Sequence, residues 1–309
     1  MAFIDAHRQR FGVEPICRVL SEHGCKIAPN TYWCHKKRRP SARTVRDEYL
    51  KGEIARVHVA NLEVYGADKV WAQLNREGIR VARCTVERLM RQTGLSGARR
   101  GRSFTVTTRC DDRQHRPADL VDRIFAAPAP NRLWVADLTY VKTRSGWVYA
   151  AFVIDVFSRM VVGWQISNSL RSDLAIDALE MAIWNRTRAG QVLDGLIHHS
   201  DRGVQYLSIR YSERLAECDI VASVGSKGDS YDNAMAEAFN SLYKWELIYP
   251  QGPWRGLDDV EFATLEYIDW FNHRRLHGEI TNDNIYFTPA EIEALYYRQN
   301  PTNPTGVTQ

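Results

Sequence analysis

Three carboxylates stand where a folded chain seldom leaves them without a purpose. Asp137 lies in the middle of the β-branched and aromatic run RLWVADLTYVKT (132–143), and Asp201 follows at once on GLIHHS (195–200). Glu237 falls within the helical pattern DNAMAEAFNSLYKWEL. A charge inside a β run is costly unless it is paired or bound to metal. Three converging carboxylates offer hard oxygen ligands, the set that suits Mg²⁺ or Mn²⁺. Two such ions about 3.5–4 Å apart clamp a phosphodiester, lowering the pKa of an attacking water or 3′-hydroxyl and stabilising the leaving oxygen. In-line displacement at phosphorus then proceeds without a covalent protein intermediate.

These side chains need a scaffold that brings them together. Residues 132–143, 147–156 and 159–167 are rich in Val, Ile, Trp, Tyr and Phe, with Arg144-Ser145-Gly146 and Phe157-Ser158 between them. They read as three consecutive strands on tight connections. A helix over 171–189 follows, with Leu174, Ala178, Met181 and Ala182 on one face. Then come a strand at 195–200, a helix at 206–217, a short strand at 219–224, the loop GSKGDSYDN and a helix at 233–248. The order βββ-α-β-α-β-α predicts an α/β fold, a mixed sheet with helices on its faces. The strands carrying the first two carboxylates would lie side by side mid-sheet, and ligands gather at such strand ends.

The front of the chain has another texture. Residues 1–120 hold 24 Lys/Arg against 13 Asp/Glu, and the remainder holds 17 against 24, so a net +4 conceals a basic front and an acidic back. A basic segment points to a polyanion, most simply nucleic acid. Residues 16–38 and 70–92 form a weak repeat at an offset of 54, pairing Leu20 with Leu74, Gly24 with Gly78, Ala28 with Ala82 and Thr31 with Thr85. Each copy reads as helix, terminal glycine, turn and helix, the outline of a helix-turn-helix. In the second copy, helices are predicted over 67–77 and 83–92. Val86, Leu89 and Met90 would face the core, leaving Arg83, Glu87, Arg88 and Arg91 elsewhere on the second helix. There the arginines Arg83, Arg88 and Arg91 could meet guanine edges or phosphates.

The stretch HKKRRPSARTVR reads as an exposed connector, with phosphate contact equally open. The predicted organisation is a helix-turn-helix-like unit at 1–45, a second DNA-binding unit at 46–98, a basic linker at 99–125, the catalytic core at 126–295 and a flexible tail at 296–309. Six cysteines form no C-x-x-C pair. Cys25, Cys34, His35 and His23 match no usual zinc spacing, so reduced, partly buried thiols are expected. No apolar run approaches a membrane span and the N-terminus lacks a signal-peptide core, so a cytoplasmic protein is expected.

WVADLTYVKT, HHSDRGVQY and DNAMAEAFNSLYKWEL resemble the three acidic motifs of bacterial insertion-sequence transposases with a retroviral-integrase-like DDE core. The 35 residues between Asp201 and Glu237 match that family's spacing, and Lys244, seven beyond Glu237, matches its basic residue near the DNA end. The tail YIDWFNHRRLHGEI…TP resembles the C-terminal signature, although GEITNDNIYFTP departs from the usual Leu-Gly-Tyr-like turn. The resemblance implies a ribonuclease-H-like core in which Asp137 bridges two Mg²⁺ ions (Mn²⁺ substituting) and Asp201 and Glu237 complete one site each. It implies that Gly203, Gln205 and Tyr206 shape the loop after Asp201, and that Asn233 faces the same site. Asn272, Arg274 and His277 would position DNA or knit the C-terminal helix to the core. It further implies action on double-stranded DNA at terminal inverted repeats, as a multimer associated with the nucleoid. Family members are often fused to an upstream-frame product, and this chain resembles the second frame alone.

Two other readings compete. His199-x-x-Arg202 with Tyr243 fits the spacing of a tyrosine recombinase. A non-catalytic DNA-binding regulator or decayed transposase would keep the binding units alone, but decayed copies usually lose an acidic residue.

Overall fold

A computed structural model describes residues 1–99, 121, 125–170, 172–201, 206, 208–224, 233–278 and 286–301. The chain divides into two compact units, Met1–Glu53 and Ile54–Gln309. The first contains α1 (Ala2–Phe11), α2 (Val13–Glu22) and α3 (Pro29–Lys37), and the division falls within α4 (Ala42–Ala60). Its small core gathers Ile4, Ile16, Cys17 and Tyr32. Tyr32 Oη donates to Asp5 Oδ1 at 2.8 Å, and Lys36 Nζ lies 2.6 Å from the same oxygen. The expected connector HKKRRPSARTVR is one only over Arg38–Ser41. Its start ends α3 and its last residues open the 19-residue α4. Ser41 initiates that helix by accepting from Thr44 N at 3.2 Å, a capping role that a charge-based reading overlooks. The described thiols are free, with Cys17 buried and Cys218 half-buried, while Cys25, Cys34 and Cys84 are exposed.

The second unit opens with the end of α4, then α5 (Ala67–Arg76) and α6 (Arg83–Thr93). Gly24 and Gly78 occupy the same place in the two copies of the repeat, with φ of +89° and +84°. Val70, Leu74, Val86, Leu89 and Met90 are buried between the second pair of helices. Trp71 Nε1 donates across the turn to Val81 O at 2.9 Å.

The sheet comprises β1 (Leu133–Thr143), β2 (Gly146–Asp155), β3 (Val161–Ser167), β4 (Ile197–Ser200) and β5 (Val221–Val224), in the order β3-β2-β1-β4-β5. β1 pairs antiparallel with β2 and parallel with β4. One face is covered by α7 (Ser172–Arg188) and α8 (Ile209–Glu217), burying Trp134, Ala136, Val153, Leu179 and Leu215. α7 approaches β3 closely because position 163 is glycine, where a Cβ would stand 2.1 Å from Ala178 O. On the other face, Phe152 packs on Phe239 and Tyr243, with ring centroids at 4.9 and 5.0 Å. This aromatic layer joins α9 (Ala234–Tyr243) to α11 (Leu257–His273). Alternation along each strand thus serves two cores, as helices on both faces require.

The helix expected over 233–248 changes geometry partway. α9 ends at Tyr243, a π-helical segment covers Lys244–Ile248, and the short α10 (Tyr249–Gln251) follows. Within the π segment Glu246 turns inward to a bidentate pair with Arg275, at 2.8 and 2.6 Å, and accepts from Tyr267 Oη at 3.0 Å. The tail expected from 296 is helical to Gln299, because α12 (Pro289–Gln299) starts on a full capping box of Thr288 and Glu291. Glu293 in α12 takes both Nη groups of Arg186, at 2.6 and 2.5 Å, beside buried Asp155. Most of the expected linker, and residues 302–309, lie outside the described residues.

Candidate active site

The parallel pairing of β1 with β4 brings the first two carboxylates together. The register ends with Ala136 opposite Ser200, so Asp137 and Asp201 are the next residues on adjacent strands. β4 is held in place from both sides. His198 Nε2 meets Tyr211 Oη at 3.0 Å, and His199 Nδ1 meets Ser223 Oγ at 2.9 Å. Burial, aided by neighbouring His199, drives the His198 imidazole down to about 3, so it is neutral.

α9 lies against β1 and presents Glu237 to the pair. Asn233 at its start donates Nδ2 to Ala136 O at 3.0 Å, fixing the helix to the strand one residue before Asp137. Asn240 donates Nδ2 to Asp137 Oδ2 at 2.9 Å, while Leu138 N donates to Oδ1 at 2.8 Å. Both oxygens of Asp137 are therefore oriented. Asn240 is a site residue that the motif reading missed, although its spacing of three from Glu237 puts it on the same helical face.

The three acids influence one another electrostatically. Burial first, then the Asp201 charge and more weakly Glu237, push the Asp137 carboxyl well above the ordinary Asp value. Glu237 is exposed on its outer side, yet partial desolvation and Asp201 raise it as well. Asp137 is raised by both other acids and Glu237 by Asp201, the like-charge repulsion that a bound cation relieves. Among the described residues no three His, Cys, Asp or Glu side chains stand close enough to enclose an ion unaided. The surroundings nevertheless suit one. Among the described residues Asn240 Oδ1, Asn233 Oδ1 and Tyr206 Oη are buried without hydrogen-bond partners, and Tyr206 feels the charges of both Asp137 and Asp201. Orphaned polar atoms around a carboxylate cluster fit a hydrated ion or a phosphate.

Lys244 lies at the start of the π segment with Nζ 4.6 Å from the centroid of the Tyr140 ring. Burial lowers its ammonium while the nearby Asp137 charge opposes that shift. Arg83, Arg88 and Arg91 sit on α6, away from these carboxylates in sequence. Arg83 is engaged by Asp68 at 2.6 Å and Glu87 at 3.0 Å, Arg88 is partly buried and Arg91 is exposed. Gly203 and Gln205 lie outside the described residues. Asn272 knits the C-terminal helix to the sheet, exchanging two hydrogen bonds of 2.9 Å with the Val161 backbone. Arg274 O accepts from Tyr65 Oη at 3.1 Å, and His277 bridges to Phe287.

The tyrosine-recombinase alternative fails on access. Tyr243 is fully buried, shares a 2.7 Å hydrogen bond with Thr264 Oγ1, and has its phenol pushed up by burial. A nucleophile sealed in an aromatic core cannot reach a phosphodiester.

An integrase-type α/β core preceded by paired helices, with one acid within β1 and another just past the end of its parallel neighbour β4, defines a polynucleotidyl transferase of the DDE class. Family models agree. An integrase core domain matches residues 127–230 and again 219–283, and a helix-turn-helix-like domain matches 45–103. The chain is 55% identical over 284 residues to the protein assigned as transposase of insertion sequence IS986/IS6110 in Mycobacterium tuberculosis, covering 91% of this chain and 99% of that one. It is 47% identical to the IS629 transposase of Shigella sonnei, over 96% of each chain. It is 33% identical to transposase InsF of IS3A from Escherichia coli K12, over 80% of this chain and 83% of that one. The catalytic core of HTLV-2 integrase aligns at 20% identity and a TM-score of 0.42, over 54% of this chain and 99% of that one, too distant to add to the relationship. The chain belongs to the family of insertion-sequence transposases. No helix among the described residues is long and apolar enough to cross a membrane.

Proposed function

We propose that Asp137, Asp201 and Glu237 are the catalytic carboxylates of a transposase that cuts DNA at the terminal inverted repeats of its element and joins the exposed 3′-hydroxyl to a second phosphodiester. The observation that carries this reading is the recessed Asp137 carboxyl, oriented at both oxygens and raised by both other acids. The three acids would hold two Mg²⁺ ions, with Mn²⁺ able to substitute. When bound, such ions lower the pKa of the attacking hydroxyl and neutralise charge on the leaving oxygen. Asn240 orients Asp137 for that task, Asn233 holds α9 against β1, and Lys244 offers a cation to a phosphate beside the acids. Gln205 would contact DNA. Residues Arg83, Arg88 and Arg91 of α6 would engage duplex DNA, their helix lying in the major groove as in other helix-turn-helix proteins. The active species would be a multimer in the cytoplasm, joined or assisted by an upstream-frame product.

The test uses labelled duplexes carrying the element ends, with Mg²⁺ or Mn²⁺, and wild type beside Asp201→Asn and Glu237→Gln. Band shifts check that all three bind. Nicked and joined products from wild type alone are expected. Products that survive both substitutions would remove the triad from the reaction. Intact binding without products, also after fusion to the upstream frame, would favour a regulator that only binds.

A further inference from the structure

The β1–β2 hairpin carries an aromatic group that the fold does not use. Trp147 is 49% exposed at the start of β2, where the hydrophobic effect would favour a polar residue. Its ring meets Tyr140 edge-on at 5.2 Å, and Lys244 Nζ lies over the same Tyr140 ring. Trp147, Tyr140 and Lys244 thus form one continuous aromatic and cationic surface. Lys142, paired with Trp147 across the strands, and Arg144 in the turn are both exposed beside it.

This surface is rigid and close to the carboxylates. Arg144 N donates to Trp254 O at 2.9 Å, Ser145 Oγ to Arg255 O at 3.0 Å and Thr143 Oγ1 to Gly146 O at 2.8 Å, so the turn is fixed at its tip. Tyr140 is three positions beyond Asp137 on β1, about 10 Å at strand rise, and on the opposite face of the sheet. The Lys244 ammonium spans that interval, feeling the Asp137 charge while resting on Tyr140. An exposed tryptophan on a stiff hairpin, with cations on both sides, has the composition of a platform for single-stranded nucleic acid. Bases stack on aromatic rings without regard to sequence, and the flanking cations track the backbone.

We propose that Trp147, supported by Tyr140, stacks an unpaired nucleobase of the DNA strand adjoining the reacting phosphodiester, with Lys142, Arg144 and Lys244 on its phosphates. The inference rests on the assignment of the acidic site, which gives the strand its position. Its ligand is single-stranded DNA at a frayed or processed end rather than the duplex taken by the paired helices. Stacking of this kind favours ends already opened and holds them in register with Asp137.

The experiment measures binding of the full-length protein to a blunt duplex and to the same duplex with a short single-stranded tail containing aminopurine, in chelator so that no cleavage intervenes. Wild type is expected to bind the tailed duplex roughly tenfold more tightly and to quench the aminopurine, the size of effect that one base stacked on an aromatic ring produces. Trp147→Ala should lose the tail preference and the quench while keeping affinity for the blunt duplex. Trp147→Phe should retain part of both. The proposal is overturned if wild type binds the two duplexes alike, if a tail of abasic sites binds as well as one with bases, or if Trp147→Ala changes only the oligomeric state, which would make the hairpin a protein contact. Nicking assays on the same variants separate the two readings. Activity with no tail preference removes the platform and leaves the acidic site, whereas a tail preference without metal-dependent products does the reverse.

Discussion

At Asp137, burial and the Asp201 charge act in one direction, and the hydrogen bonds from Leu138 and Asn240 offset them only in part. A carboxyl whose folded pKa lies above its unfolded value favours folding while protonated. That contribution is complete below the unfolded pKa and is lost as pH rises through the folded one. The metal-free protein is therefore destabilised by this side chain at neutral pH. Asp137→Asn keeps the shape and removes the charge, so in chelator it should melt a few degrees higher than wild type near neutrality. The difference should shrink as pH falls towards about 4, the ordinary Asp value. Mg²⁺ should then raise the melting temperature of wild type and not of the variant, because only a folded site with its carboxylate gains from the ion. A variant that melts lower than wild type at neutral pH would show that repulsion does not dominate the site. Asn240 gives a second expectation at the same scale. Asn240→Ala strips the donor from Asp137 Oδ2, and a lost orienting partner of this kind costs about 10–100-fold in activity. Strand-cleavage rates should fall by that factor with duplex binding unchanged, and Asn240→Gln, one methylene too long, should not restore them.

The strands and most helices are legible because they are short-range patterns. Alternation in RLWVADLTYVKT and the turn residues Arg144-Ser145-Gly146 lead to a hairpin observed at Leu133–Thr143 and Gly146–Asp155. The Val86, Leu89 and Met90 stripe lies buried on α6 as its spacing requires. The π segment was not legible, because what accompanies it is distant in sequence. Glu246 reads as another polar residue of an amphipathic helix until Arg275, 29 residues later, is seen to take both of its oxygens. The same holds for Arg186 and Glu293, 107 residues apart, which fasten α12 to α7. Both Glu246 and Arg275 are almost wholly buried, so neither charge can be left alone. Arg275→Met should destabilise the protein by about 3–5 kcal/mol, since it strands Glu246 with one phenolic hydroxyl. Glu246→Leu combined with Arg275→Met should recover most of that loss, because an apolar pair of similar volume replaces a desolvated ion pair. Urea unfolding of the two variants checks both outcomes. A double variant as unstable as the single one would mean that the π segment, and not the stranded charge, depends on the pair.

At the scale of the whole molecule, the proposed acidic site is legible through three motifs at fixed spacing, while the residues that would tune it come from packing. Asn240 looks like any polar helix residue, and the unpartnered oxygen of Tyr206 has no signature in a string of letters. Charge is the global property that composition did convey, with a basic front of 24 Lys/Arg against 13 Asp/Glu before residue 121. Its use depends on which cations are already compensated. On α6, Arg83 is held by both Asp68 and Glu87, whereas Arg91 is exposed and joins no ion pair among the described residues. A cation that neutralises a phosphate releases condensed counterions, and each such contact adds about 0.9 to the slope of log affinity against log salt. A cation shared between two carboxylates must first give up those partners, so its net release is smaller. Arg91→Ala is therefore expected to lower affinity for duplex DNA of any sequence and to flatten the salt slope by about 1. Arg83→Ala should change both much less, and also free two carboxylates to repel the backbone. Fluorescence anisotropy titrations at a series of salt concentrations would read the two slopes. A larger change at Arg83 would mean that α6 rearranges on DNA, exchanging its internal ion pairs for phosphates.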